Sequence, residues 1–495
     1  MSNTKVMLQR FFEENSLVAS NIESFNQFID KGMQKVIDEN KELIPPIIPA
    51  NIEDFNIRLD KIEVGKPEII EADGSKRQIN PLEARLRKLT YAAPIMLSVS
   101  AHVNGVQRES FTTQIASIPI MLKSKNCYLH GLNEDELIAK GEDPKDPGGY
   151  FIVNGTEKVL ISVEDLMPNN FLVEMDKLKG QYVGKIFSES GSFKIPHMME
   201  KKKDGLYYMS FTRLKEIPLI VILKALGMTK DEEIMKAIST TEQFDEILIN
   251  LYEFVTIKTE EEALDYISKK INIVQPKEQR LERTYDLLDR FFLPHIGNSE
   301  ESRMLKAQNL CKLLRKYIKI ARGENEADDK DHYKNKKLKL SGELLMDLFR
   351  VNLKILTGDI LYNFQRIVKR GKVPSVKVII REKLLTSRIY SSMATGNWVG
   401  GRKGISQRLS RINFLDMLSH LQRVVSPLSS SQENFEARAL HATHMGRLCP
   451  AETPEGTNIG LRKNLSLLAQ ISLTEDENEL ITQLKGIGLS EVQNE

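Results

Sequence analysis

Between Glu324 and Lys339 the chain reads ENEADDKDHYKNKKLK, a run dense in charge and almost without apolar side chains. Such a run cannot be threaded through a hydrophobic core, so it marks a boundary between packed bodies. Length points the same way. A chain of 495 residues exceeds what one ordinary core holds, and about two to four domains is the prior.

Hydrophobic periodicity supplies the elements on either side. Over residues 5 to 40, Val18, Ile22, Phe25, Phe28, Ile29, Met33 and Ile37 recur at three and four, the stripe of an amphipathic helix packed on a core. Pro45, Pro46 and Pro49 stop it. From Phe55 the period shifts toward two, and strand-like runs continue through Met96–Val103 and Ile115–Leu122. Asn154-Gly155, flanked by apolar residues on both sides, predicts a two-residue hairpin, because that dipeptide tolerates the positive φ angles the turn demands. Residues 168 to 213 read as strand-rich, and Ile217 to about Arg322 as helical. A long helix is expected from Ser341 to about Arg370, with Leu344, Leu348, Val351, Ile355 and Tyr362 on its apolar side. Gly358 weakens it and Gly371 stops it. The fold class is therefore α+β, multidomain.

Composition narrows the class of protein. Apolar content of 41% and charged content of 28% are those of a soluble globular chain, and the formal net charge is only +2. Cys127, Cys311 and Cys449 lie far apart with no C-x-x-C, which fits a reducing compartment. The N-terminus, MSNTKVMLQRFFEE, lacks the apolar stretch of a secretion signal, and no apolar run reaches membrane-spanning length. A cytoplasmic location is expected.

A near-neutral total hides a segregated charge. From Arg366 to Arg423 there are thirteen Lys or Arg residues against two acidic ones, Glu382 and Asp416. That is either an electrostatic footprint for phosphate backbones or a solvated helix face. Gly404-Ile405-Ser406-Gln407 opens a helix-like pattern through Arg408, Arg411, His420 and Arg423. Beyond it, Pro450, Pro454, Gly456, Asn458 and Gly460 exclude regular helix or central strand, so Cys449–Gly460 is an ordered loop or a plain surface turn. The apolar run Leu465–Ile471 follows.

Chemistry for a self-sufficient active site is missing. There is no G-x-x-x-x-G-K-[ST] loop, no G-x-S-x-G elbow, and no aspartate cluster able to hold the paired Mg²⁺ ions of nucleotidyl transfer. His441, His444 and Cys449 lack an evident fourth ligand for zinc, and histidines bonded to their own turn are the expected arrangement. No metal site and no catalytic residue are assigned to this chain alone.

Long motifs now add a resemblance. The string His441-Ala442-Thr443-His444-Met445-Gly446-Arg447-Leu448-Cys449-Pro450-Ala451-Glu452-Thr453-Pro454-Glu455-Gly456-Thr457-Asn458-Ile459-Gly460-Leu461 resembles the fork region of the second-largest subunit of multisubunit DNA-directed RNA polymerases. It departs from that family at Met445, where an aromatic residue is usual. The run from Gly148 to Ile161 is similar to the family's protrusion domain, and Phe292-Leu293-Pro294-His295 to an element of its lobe. Asp329-Lys330-Asp331-His332-Tyr333 is similar to a connector, and Ala394-Thr395-Gly396-Asn397-Trp398 to a further family motif. The chain looks like the N-terminal half of a second-largest subunit split in two, as in some archaea. The resemblance implies a first part of the protrusion over 1–180, a lobe over 181–337, a second part of the protrusion over 338–397, and a fork with the start of a link over 398–495.

The same resemblance implies roles and partners. Gln407, Arg408, Arg411, His420 and Arg423, with Arg402 and Lys403, would meet nucleic acid. Arg438, Glu455 and Gly456 would lie near the nucleotide-addition site, with Ser426–Ala437 a strand-separating loop. The implied partners are the C-terminal half (B′), the largest subunit (A′/A″) and other subunits, template DNA, the RNA–DNA hybrid and NTPs, with no membrane. No cofactor is expected on this chain, and Mg²⁺ and Zn²⁺ are expected in partner subunits. Leu465–Ile471 is expected to pair with or pack on the missing half. Two other readings stay open: a stand-alone nucleic-acid-binding protein using the basic segment, and a metal hydrolase built on His441 and His444.

Overall fold

The computed structural model describes residues 2–14, 16–48, 52–176, 180–191, 193–239, 245–371, 375–473 and 477–489. Pro49 and Lys372, both used above, fall outside that set. The chain divides into a discontinuous unit, Met1–Asp165 with Leu338–Glu495, and a continuous one, Leu166–Lys337. The second boundary sits at the end of the charged run. The first lies upstream of the 180/181 position read from the sequence, because strand Phe171–Asp176 pairs antiparallel with Gln181–Ser190 and a break there would cut a hairpin.

In the discontinuous unit, a four-stranded antiparallel sheet runs in the order Glu42–Leu43, Phe55–Val64, Ala92–Val103, Val106–Pro119. The N-terminal helical stripe is realised as Ala19–Gln27 and Met33–Asp38, joined by a π-turn at Phe28–Gly32. It packs on helix Ser341–Val368 at very short range. A Cβ on Gly342 would lie 1.9 Å from the Ser24 carbonyl oxygen, so only glycine allows the two backbones to meet. Ser341 Oγ donates to the Asn21 carbonyl at 3.0 Å across the same contact. Phe25 stacks edge-on against Phe151 (5.6 Å) and Phe28 against Phe349 (6.4 Å), tying three distant parts of the chain into one core.

The long helix ends where expected, with Gly371 at φ +76. Its buried face is not the one read from the sequence. Leu344 and Leu348 are buried, but so are Leu345, Phe349, Leu353, Leu356, Ile360 and Phe364, whereas Tyr362 is exposed. Enough apolar residues lie around this helix to draw several stripes, and tertiary packing selects one.

The continuous unit is a five-stranded antiparallel meander, Phe171–Asp176, Gln181–Ser190, Phe193–Lys201, Tyr207–Phe211 and Leu214–Pro218, each strand beside its sequence neighbour. Helices from Leu219–Ala225 to Ser302–Ala321 complete it around a core of their own. The Phe292-Leu293-Pro294-His295 element is built into that core, with the Leu293 amide donating to His197 Nε2 and His295 Nδ1 lying 2.7 Å from Ser188 Oγ. Burial pushes His197 down to about 4, so it stays neutral and accepts this bond. No helix among the described residues is long and apolar enough to cross a membrane.

Candidate nucleic-acid interface

Two small sheets of the discontinuous unit carry the residues singled out by sequence. The Asn154-Gly155 hairpin forms as expected, with φ of +49 and +70, joining Phe151–Val153 to Thr156–Leu160. Ser406–Arg408 adds to its other side, Gln407 opposite Val159 and Arg408 opposite Lys158. The segment from Gly404 to Arg423 is thus not one helix. It is a strand, a helix at Phe414–Leu421 capped by the Asn413 side chain on the Asp416 amide, and a second strand, Arg423–Val425. The open edge of the hairpin captured residues that local pattern assigned to a helix.

Arg423–Val425 lies parallel to Ser162–Leu166 and antiparallel to Arg462–Asn464. The inner face of this ribbon is closed. Val424 is fully buried, and beside it the Lys463 ammonium meets both oxygens of Glu164 at 3.0 and 3.2 Å. Neither residue was picked out by sequence reasoning; Lys463 stands just past the motif that ends at Leu461, and Glu164 lies 299 positions away.

Several expected nucleic-acid contacts are committed inside the protein. Arg411 binds Glu157 Oε2 (2.8 Å), Asp146 Oδ2 (2.9 Å) and the Tyr150 hydroxyl (2.9 Å), while Arg85 binds the same Glu157 together with Glu142. Burial opposes its charge, yet Glu157, Tyr150 and Asp146 hold its proton affinity above the usual arginine range. This is a structural knot that pins the hairpin, and it engages the Arg411 guanidinium expected to face phosphate with two carboxylates and a phenol of the protein itself. Arg402 pairs with Asp165 at 2.7 Å. His420 is buried; the Ser410 amide donates to its Nδ1, and its Nε2 lies 3.2 Å from Gln407 Oε1. Burial and then the adjacent Arg423 push it down to about 4. A neutral imidazole bonded on both sides is a brace, not an anion ligand, and it occupies Gln407 as well.

Lys403 and Arg408 are exposed. Arg423 is half-buried, and burial followed by the neighbouring Arg462 holds its proton affinity below the usual arginine range. It has no hydrogen-bond or ion-pair acceptor for its guanidinium among the described residues.

Arg438 is the clip of the loop region. Its guanidinium donates to four backbone carbonyls: Thr457 (2.7 Å), Ile459 (3.0 Å), Ser430 (2.9 Å) and Gln432 (3.2 Å). It therefore fastens the Ser426–Ala437 loop to the T-P-E-G turn, and the donors expected near a nucleotide are spent on backbone. A Cβ on Gly460 (φ +71) would fall 2.2 Å from the Arg438 carbonyl oxygen, so glycine is required for this approach. Thr453 completes the turn, donating to the Arg462 carbonyl and accepting from the Gly460 amide, both at 2.9 Å. Glu455 and Gly456 project at its exposed crest.

His441 and His444 cap their own short helix, His441 Nδ1 accepting from the Thr443 amide at 3.1 Å. Among the described residues no cluster of His, Cys, Asp or Glu could hold a metal ion. The Leu465–Ile471 run is not a strand. The ladder ends at Asn464, Leu465 makes one bridge to Leu448, and Leu467 and Leu468 are more than half exposed.

Comparison with known proteins follows the same division of the chain. The family described as RNA polymerase beta subunit matches residues 16–387, and RNA polymerase Rpb2, domain 3, matches 407–471. The chain is 42% identical over 491 residues to DNA-directed RNA polymerase subunit Rpo2 of Saccharolobus solfataricus, covering 98% of this chain and 43% of that one. It is 41% identical over 500 residues to subunit Rpo2N of Methanocaldococcus jannaschii, covering 99% and 100%. With subunit Rpo2N of Halobacterium salinarum it shares 39% identity over 495 residues, covering 97% and 95%. It spans less than half the length of the Rpo2 relative and nearly all of the Rpo2N relatives. A family match over most of the chain, with a clipped T-P-E-G turn standing on a basic ribbon, leads to one statement of kinship: this chain belongs to the RNA polymerase beta subunit family.

Proposed function

We propose that the chain is the N-terminal half of a second-largest subunit of DNA-directed RNA polymerase and works only inside the multisubunit complex. There it helps form the DNA cleft and holds the fork beside the nucleotide-addition site. The carrying observation is the T-P-E-G turn, immobilised by Arg438 and Thr453 on the Arg423–Val425/Arg462–Asn464 ribbon, with Glu455 left exposed at its crest. A turn fastened at so many backbone atoms is suited to positioning groups supplied by others, and it carries no acid–base or nucleophilic pair of its own.

The partners in this proposal are the C-terminal half, the largest subunit carrying the Mg²⁺ ions, template DNA, the RNA–DNA hybrid and NTPs, in the cytoplasm. The names of the relatives support the class, and the Rpo2N name supports a separate C-terminal half. The pairing of Arg402, Arg411 and Arg381 with carboxylates engages three of the thirteen cations of the basic segment, which weighs against a stand-alone nucleic-acid-binding protein.

The test is affinity purification of the tagged chain from its native cells, followed by DNA-templated NTP incorporation. Recovery of the other polymerase subunits, with activity in the complex and none in the chain alone, is expected. A chain that purifies without other subunits, or that polymerises NTPs by itself, overturns the proposal.

A further inference from the structure

Helix Asp245–Glu253 of the continuous unit is apolar on two sides. Ile247 and Leu251 are buried in the core of that unit, as an amphipathic pattern requires. Yet Leu248, Ile249 and Tyr252 are 52%, 57% and 81% exposed, and Val255 lies open just beyond the helix end. A helix that is apolar all round is normally covered all round, and scattered surface apolar residues do not gather in this way within about two turns.

These side chains form one wall of a groove of about 770 Å³, and helix Asp231–Ile238 forms the other through Glu232, Met235 and Lys236. The groove is held from beneath. Lys224, 2% exposed at its side chain, meets Asp231 of one wall at 2.9 Å and donates to the Phe254 and Ile257 carbonyls, at 3.2 and 2.8 Å, where the other wall ends. One buried ammonium thus fixes the spacing of the walls, so the groove exists before anything enters it. Charge then narrows what can enter. Glu232 and Lys236 stand one turn apart on the groove, both exposed, and neither has an ion-pair or hydrogen-bond partner among the described residues. Asp231 and Glu233, by contrast, are taken by Lys224 and Lys230. The apolar wall from Leu248 to Val255 spans only about 10 Å, far short of the roughly 800 Å² per partner that a stable dimer buries.

We propose that this groove receives one amphipathic helix of another protein, about two to three turns long, with an apolar strip at i, i+4 and i+7. Beside the strip it carries a Lys or Arg that meets Glu232 and, one turn away, a Glu or Asp that meets Lys236. Tyr252 is the anchor, because its ring offers a large contact area with few rotatable bonds to freeze. A contact of this size is weak and exchangeable, as fits a segment that comes and goes rather than a permanent subunit. It uses no residue of the T-P-E-G turn or its ribbon and does not depend on the polymerase reading.

The experiment titrates the full chain against two fluorescein-labelled, hydrocarbon-stapled helical peptides that share one leucine strip. The mixed peptide carries a Lys and a Glu one turn apart beside the strip; the acidic peptide carries Glu at both positions. Anisotropy should show saturable binding of the mixed peptide, with Kd on the order of 10 µM, and binding of the acidic peptide about fivefold weaker. Tyr252→Ala should weaken the mixed peptide about tenfold. Glu232→Lys should reverse the preference, so that the acidic peptide becomes the tighter ligand. Tyr362→Ala, an exposed tyrosine of the discontinuous unit, should change neither. Thermal unfolding checks the fold of each variant, and if Tyr252→Ala lowers the midpoint, the reversal by Glu232→Lys carries the test. Absence of saturable binding, a correctly folded Tyr252→Ala that binds as the parent does, or a preference unmoved by Glu232→Lys overturns the proposal. So does self-association of the chain in sedimentation that Tyr252→Ala abolishes, since the occupant is then a second copy. Co-purification of polymerase subunits is read without these peptides, so the two proposals fail separately.

Discussion

Replacing Lys463 by methionine tests the reasoning about the ribbon most directly. Lys463 and Glu164 are 8% and 4% exposed at their side chains, and the ammonium contacts both carboxylate oxygens. Between their strands runs Arg423–Val425, so the pair bolts the outer two strands across buried Val424. Methionine keeps most of the volume and removes the charge, taking from the buried Glu164 carboxylate the ammonium that meets both of its oxygens. Breaking such a pair from one side costs about 3–5 kcal/mol. At about 1.4 kcal/mol per decade, that is on the order of 100- to several thousand-fold in the opening equilibrium of the ribbon. Hydrogen exchange on peptides covering residues 423–425 and 462–464 reads this locally, without requiring the whole chain to unfold in one step. The companion variant, Lys463→Met with Glu164→Leu, removes both charges and should return protection to within about 1 kcal/mol of the parent. Protection in Lys463→Met within about threefold of the parent would refute the argument. So would a double variant no better than the single one.

Three further outcomes follow from the same geometry. Gly460→Ala forces a Cβ into the Arg438 carbonyl at positive φ; it should cost at least about 2 kcal/mol and release the T-P-E-G turn, seen as protease cleavage between residues 450 and 460. Arg438→Lys should behave nearly as badly as Arg438→Ala, because one ammonium cannot reproduce a planar fork over four carbonyls; limited proteolysis of residues 426–437 distinguishes this from a simple charge effect, which lysine would preserve. His420 is neutral in the folded chain down to about 4, whereas an unfolded histidine titrates near 6.5. The unfolded state therefore binds the extra proton first, and stability is lost as pH falls from about 6.5 to about 4, by at most on the order of 3 kcal/mol. His420→Gln should remove that part of the acid sensitivity, measured as the difference in urea midpoint between pH 7 and pH 5.

Signals confined to a few adjacent residues were legible in the sequence. Asn154-Gly155 announced its turn because positive φ is a local demand, Gly371 its helix stop, and the charged run after Glu324 its boundary. Partners distant along the chain were not. Ser406–Arg408 looked helical by its neighbours, but Thr156–Leu160 offered an edge more than 240 positions away. A count of cations made the basic segment stand out and said nothing about which were free: Arg411 is taken by Asp146, Glu157 and Tyr150, and Arg402 by Asp165. Arg438 was found for its place beside the motif, while its work as a four-carbonyl clip depends on two loops meeting. Lys463 and Arg462 adjoin each other in sequence with opposite fates, one buried and one presented, which only the pleat of a paired strand decides.

The interrupted path of the chain has a consequence for how it is made. Phe25, Phe28 and Phe151 emerge from the ribosome well before Phe349, their partner on helix Ser341–Val368. All of Leu166–Lys337 must be translated in between. At about 5–20 residues per second that delay is roughly 10–30 s, long compared with collapse and folding of a small unit. The inserted meander and its helices, contiguous in sequence, can close on themselves during the wait. The earlier residues meanwhile hold an unfinished apolar face that needs shielding from other nascent chains, so synthesis without chaperones should yield aggregates seeded by the first 165 residues rather than by the insert.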